Sequence, residues 1–138
     1  GWFIAGDTQS STECLGAASY FNTRWNLSTT GSGATTLSFA VATSGEVNYT
    51  WTEVSPGTAT GSGTFNGSTA TITGLPAGAT FELQISPVNF QRIIMNDGAD
   101  KDRLVNIRQW GTTTWSSMAD AFRGCANLQL GYRYELHV

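Results

Sequence analysis

Lysine is nearly missing from this chain: of seven basic residues only Lys101 is a lysine, against ten acidic residues and a net charge of −3. Binding to a phosphate backbone needs clustered Lys or Arg to displace counterions, so this balance argues against nucleic acid as a partner. Arg92, Arg103, Arg108 and Arg123 share one half of the chain but alternate with Asp97, Asp100, Asp102 and Asp120, which reads as a solvated mixed face. Histidine occurs once, at His137. Ser-His-Asp and Cys-His mechanisms need a histidine held by a second residue, and one beside a chain end that frays offers no such hold. Long apolar runs are missing too. None approaches the roughly 18 to 20 residues that cross a bilayer, so no membrane span is expected.

Cysteine is scarce, with two in 138 residues. Cys14 and Cys125 lack the paired spacing of a zinc site or a CxxC redox motif, so a disulfide between them is expected, with two separate buried thiols as the alternative. No residue set points to a cofactor. Catalysis by paired carboxylates needs two acids facing across a cleft; Glu53, Glu82 and Asp120 are available, but nothing in their spacing pairs them. The run 96–102, Asn-Asp-Gly-Ala-Asp-Lys-Asp, is rich in hard oxygen donors, yet Lys101 within it and the missing distal Glu make it a poor calcium loop and an ordinary solvated turn.

What the chain does have is serine and threonine, which fill about a quarter of it, with frequent glycine. That balance favours short strands and turns. The length fits a single domain, 1–138. Thr36 to Thr43 alternates with Leu37, Phe39 and Val41 on one face; Glu46 to Thr52 puts Val47, Tyr49 and Trp51 on one face and Asn48, Thr50 and Thr52 on the other. Ser44-Gly45 between them reads as a hairpin. Ser55-Pro56-Gly57 marks a turn, and 58–63 reads as an edge or loop. Ala70 and Ile72, then Phe81, Leu83 and Ile85, alternate again, separated by a Gly74-Leu75-Pro76-Ala77-Gly78 corner that carries the chain between sheets. Short strands follow at 92–95 and 103–110. The expected fold is mostly β, an immunoglobulin- or PKD-like sandwich over 25–110, preceded by an N-terminal strand and loop over 1–24.

Over 111–138 the reading is one short helix and a terminal strand. Trp115, Met118, Ala119 and Phe122 fall at i, i+3, i+4 and i+7, with Thr113 or Thr114 as N-cap and Gly124 as the stop. Tyr132, Tyr134, Leu136 and Val138 then alternate with Arg133, Glu135 and His137. The other end carries the apolar Trp2, Phe3 and Ile4. Unpaired terminal strands are templates for another chain, so both segments are candidate assembly strands for head-to-tail self-association.

Three sequons, at Asn26, Asn48 and Asn66, are candidate glycan acceptors; with the expected disulfide they tilt the compartment toward the extracellular side. The chain begins at Gly1 without a charged n-region, so a secretion signal is expected to have been removed or to lie upstream. Five tryptophans and four tyrosines offer a sugar-stacking platform, although most sit on expected core faces.

The motifs Phe21-Asn22-Thr23-Arg24-Trp25-Asn26, Gly74-Leu75-Pro76-Ala77-Gly78, Gln109-Trp110-Gly111 and Trp115-x-x-Met118-x-x-Ala121-Phe122-x-Gly124-Cys125-x-Asn127-Leu128 together resemble the BspA-like leucine-rich surface proteins of bacteria, over roughly 20–128. The resemblance implies a secreted or surface-displayed bacterial protein used for attachment or structure. The repeat signature occurs once, and a solenoid needs about three or more units to bury its faces, so the helix is expected to pack on the sandwich. The combined expectation is a noncatalytic extracellular structural or adhesive subunit, with a carbohydrate-binding or adhesin module as the alternative.

Overall fold

The period-two alternation of the sequence becomes eight strands in two antiparallel sheets among the described residues, 17–129 of the computed structural model. They are β1 (Phe21–Asn26), β2 (Leu37–Thr43), β3 (Val47–Ser55), β4 (Thr60–Phe65), β5 (Thr69–Ile72), β6 (Thr80–Ile85), β7 (Phe90–Ile94) and β8 (Leu104–Gln109). The larger sheet has the order β4-β3-β6-β1-β8, the smaller β5-β2-β7. Trp2, Phe3, Ile4, Cys14, Tyr132, Tyr134, Leu136, His137 and Val138 lie outside the described residues, and with them both expected terminal strands.

The core lies between the sheets, where alternate side chains of each strand converge. Trp25 of β1 stacks on Phe39 of β2 with ring centroids 5.3 Å apart, joining the two layers. Phe81, Leu83 and Ile85 of β6 and Leu37, Ile72 and Ile93 of the smaller sheet are wholly buried around them. Each such side chain contributes about 1.5 to 3 kcal/mol by leaving water. The corner at 74–79 does carry the chain from one sheet to the other: Leu75 is buried, its amide bonds the Thr35 carbonyl, and the Ala79 carbonyl receives the Leu27 amide.

Three expectations need correction. Ser44-Gly45 is no hairpin, because β2 pairs with β5 and β7 while β3 pairs with β4 and β6; the dipeptide crosses between sheets. The N-terminal boundary of the sandwich at residue 25 falls inside β1, which pairs with both β6 and β8 in the larger sheet. In β1, Phe21, Thr23 and Trp25 alternate with Asn22, Arg24 and Asn26, the same period-two pattern as in β2 and β3.

The third correction is the helix. No helix forms among the described residues, and 113–129 instead runs as a strap of turns along one side of the sandwich. Asp120 takes a left-handed φ of 55°, which breaks any helical path. The carbonyls of Asp120, Ala121 and Arg123 accept the amides of Asn96, Met95 and Asp97, and only that of Asp120 also receives an amide of its own segment, from Arg123 at 3.5 Å. Three-residue turns remain, with the amides of Ala121, Cys125 and Leu128 bonded to the carbonyls of Met118, Phe122 and Cys125. Of the apolar stripe, Trp115 and Phe122 pack against the core but Met118 and Ala119 are exposed; Ala121 is buried, and Cys125 and Leu128 also pack against the core.

Candidate functional site

On the larger sheet, β1, the edge strand β8 and the strap enclose a polar cleft, which lies beside a cluster of charged and amide side chains. On the outer face of that sheet, register places Asn22 against Gln84 and Arg24 against Glu82, with Thr50 and Thr52 on the other side of the same pairs. Glu82 is the hub. Its carboxylate accepts Arg24 Nε at 3.0 Å and Asn22 Nδ2 at 3.2 Å, and Arg108 Nε stands 3.4 Å away. Thr50 donates its hydroxyl to Gln84 at 2.9 Å. Although Glu82 and Gln84 face outward, both are buried, so their charge and dipoles are met by side chains in place of bulk water. Two guanidiniums against one carboxylate leave the cluster with a net positive charge.

Beside this cluster, at the β8 edge, opens a cleft of about 460 Å³ lined by Arg24, Asn26, Thr29, Val105, Asn106, Ala126, Asn127 and Gln129. β1 supplies the floor, β8 one side and the strap the wall. The wall is fixed by two bonds: the Gln129 amide donates to the Val105 carbonyl at 2.9 Å, completing a parallel bridge between Asn106 and Gln129, and Asn127 Nδ2 donates to the Asp102 carbonyl at 2.9 Å.

Asn26 ends β1 in an Asx turn. Its Oδ1 accepts the amide of Ser28 at 2.9 Å and the hydroxyl of Ser28 at 2.7 Å, and Asn26 lines the cleft. The other two sequons lie elsewhere. Asn48 is exposed on the outer face of β3, as its alternation requires, and Asn66 sits in the β4–β5 turn with Oδ1 receiving the Gly67 amide. The structure therefore does not gather the three candidate acceptors in one place.

Nor does it gather the carboxylates. Glu53 faces inward from β3 and accepts the amides of Gly57 and Ala59, closing the β3–β4 hairpin, whereas Glu82 faces outward. Asp120 lies on the strap, 3.7 Å from Arg123. In the 96–102 loop, Asp100 is wholly buried and engaged by protein donors, Asp97 pairs with Arg123 at 3.2 Å, and Asp102 with Lys101 at 3.7 Å. Among the described residues no group of three or more His, Cys, Asp or Glu is placed to hold a metal ion.

Cys125 is a half-buried free thiol in this structure, and its expected disulfide partner Cys14 lies outside the described residues. Burial pushes the thiol up to about 11, assisted by the negative charges of Asp102 and Asp97 and opposed by Lys101. Trp51 is a core residue, as its face predicted, Trp115 packs partly buried against the core, and Trp25 is wholly buried. Trp110 is different: it is 39 % exposed at the rim of an aromatic cluster, edge to face with Trp115 and Phe122 and tilted against Phe21.

Comparison with protein-family models, with curated proteins and with solved structures gives no match. The site must therefore be read from its own chemistry. Sequence reasoning flagged Asn26 through its sequon but missed Arg24, Asn106, Asn127 and Gln129. They come from three separate segments, and no local spacing announces that they meet.

Proposed function

We propose that this chain is a noncatalytic structural or adhesive β-sandwich unit of a bacterial cell exterior, which self-associates head-to-tail through its terminal strands. The observation that carries the reading is the parallel bridge between Asn106 and Gln129. It brings the strap, which the alternating run Tyr132 to Val138 follows in sequence, onto the outer edge of β8, the last strand of the larger sheet. An edge of that kind propagates strand pairing between chains. The sandwich suits mechanical use, because its smaller sheet and strap are tied by backbone bonds from Ser116 to Gln91 and from Met95 to Ala121.

The reading is tested by electron microscopy and sedimentation of the full chain beside a form ending at Gln129. Filaments or oligomers of the full chain that vanish on truncation support it. A full chain that stays a monodisperse monomer across concentration overturns the self-association. A second reading, a carbohydrate-binding module, is favoured by the amide-lined cleft.

A further inference from the structure

We propose that the cleft between β1, β8 and the strap is a binding site for an acidic saccharide, one or two sugar rings carrying a carboxylate. The inference holds whether or not the chain polymerises.

Four of the eight lining residues are carboxamides: Asn26, Asn106, Asn127 and Gln129. Each amide presents a donor and an acceptor side by side, matching vicinal sugar hydroxyls, which are themselves both donor and acceptor. Their capacity is largely unspent. Asn26 uses its oxygen on Ser28 and keeps Nδ2, and Asn127 uses Nδ2 on Asp102 and keeps its oxygen. Most small-molecule pockets are lined mainly by apolar groups, but here only Val105 and Ala126 are apolar, which selects a hydrated, hydroxyl-rich ligand.

The charge of the lining sets the class of sugar. Arg24 is its one charged residue, and no carboxylate lines it. Arg24 spends Nε and Nη2 on Glu82 and retains Nη1, and Arg108 shares Glu82, so the carboxylate does not cancel the local positive charge. A hexuronate carboxylate at Nη1 gains a charge-assisted bond that a neutral hexose lacks. The volume, about 460 Å³, lies in the range of small-ligand sites and suits one or two rings.

The location also couples the cleft to the Asn26 sequon, since Nδ2 is the atom a glycan would occupy. The test therefore uses full chain made in a host that adds no N-glycans, with its mass verified. Isotope-labelled protein is titrated with di- and trigalacturonate and with the corresponding neutral galactosides, following side-chain and backbone amide resonances. The acidic sugars are expected to shift Asn106, Asn127 and Gln129 and to bind at least about tenfold more tightly than the neutral ones. Asn106→Asp, which sets a carboxylate against the ligand's, is expected to weaken binding about tenfold or more, and Asn106→Ala by less. Three results overturn the proposal: no shift with any of these sugars, equal affinity for acidic and neutral sugars, or shifts confined to the Trp110 cluster. The Asn106→Ala protein keeps the comparison meaningful if the aspartate variant unfolds.

Discussion

Asp100 and Arg103 form an ion pair at 3.2 Å with side chains 0 % and 3 % exposed, and together they fasten the β1–β2 connection to the start of β8. The Asp100 carboxylate accepts the amides of Ser32 and Ser38 and the Ser32 hydroxyl. The Arg103 guanidinium donates to the carbonyls of Thr29, Thr36 and Gly33. The pair thus serves five backbone groups that lie far away in sequence.

Removing one partner strands the other charge in the interior, which costs about 3 to 5 kcal/mol in comparable sites. Asp100→Asn and Arg103→Met should each lower the urea midpoint by an amount of that order with an unchanged slope. Unlike buried pairs whose apolar replacement is neutral, the double variant Asp100→Leu, Arg103→Met should recover little. The amides of Ser32 and Ser38 and the three carbonyls would still have lost their partners. A double variant as stable as the parent would contradict this account.

Gly111 turns the chain between β8 and the strap with φ of 71°, and a Cβ there would strike the Ser19 carbonyl oxygen and the Tyr20 carbonyl carbon. The same turn is held by the Thr112 amide on the Ser19 carbonyl at 3.0 Å. Gly111→Ala therefore combines left-handed strain with a backbone clash that no rotamer relieves. Gly67, at φ of 78°, has open space around its Cβ position. Calorimetry should show Gly67→Ala costing about 1 kcal/mol from conformation alone. The Gly111 variant should cost clearly more, with earlier hydrogen exchange at Thr112. Equal losses would remove the clash from the argument.

How much of this was legible follows from the range of each signal. Alternation in β2, β3, β5 and β6 is local and strong, and the buried faces of Leu37, Tyr49, Ile72 and Leu83 follow from it. β1 alternates in the same way, with Phe21, Thr23 and Trp25 against Asn22, Arg24 and Asn26, but its place between β6 and β8 depends on partners more than fifty residues away. The strap is the reverse case. Its i, i+3, i+4, i+7 stripe suggests a helix, yet only Trp115 and Phe122 of the stripe pack on the core, because carbonyls of the segment are claimed by residues 95–97 from another part of the chain, and no local propensity reports that. The cleft was least legible, since amides are common surface residues and acquire meaning only where three segments bring them together.

Trp51 lies over Gly61, its register partner on the edge strand β4, with the indole where a Cβ would stand: 2.5 Å from Cε2 and Nε1. The glycine lets the ring close down beside Phe81, 6.4 Å away edge to face. Gly61→Val improves strand propensity by up to about 1 kcal/mol but displaces the indole, at about 1 to 3 kcal/mol. The net expectation is a loss of stability with a changed near-ultraviolet dichroism. Ser62→Val, on the exposed side of the same strand, should leave the dichroism unchanged. A Gly61→Val protein with parental stability and spectrum would show that the ring has room to spare.

Cys125 gives a pH prediction with a definite sign. Burial and the charges of Asp102 and Asp97 raise the folded thiol from 9.0 to about 11. Below pH 9 both folded and unfolded chains carry the neutral thiol, and the site adds no pH dependence. As pH climbs from about 9 to 11 the unfolded chain ionises first, so stability falls through that window and the folded thiol ionises only near its end. In a Cys14→Ser protein, where Cys125 is the single cysteine, the rate of alkylation by iodoacetamide should rise with a midpoint near 11, because the thiolate is the nucleophile. Asp102→Asn should lower that midpoint and Lys101→Met should raise it, in keeping with the charge each removes. A native profile that follows the urea-unfolded protein, with its midpoint near 9, would place the thiol in water and refute its burial against the core.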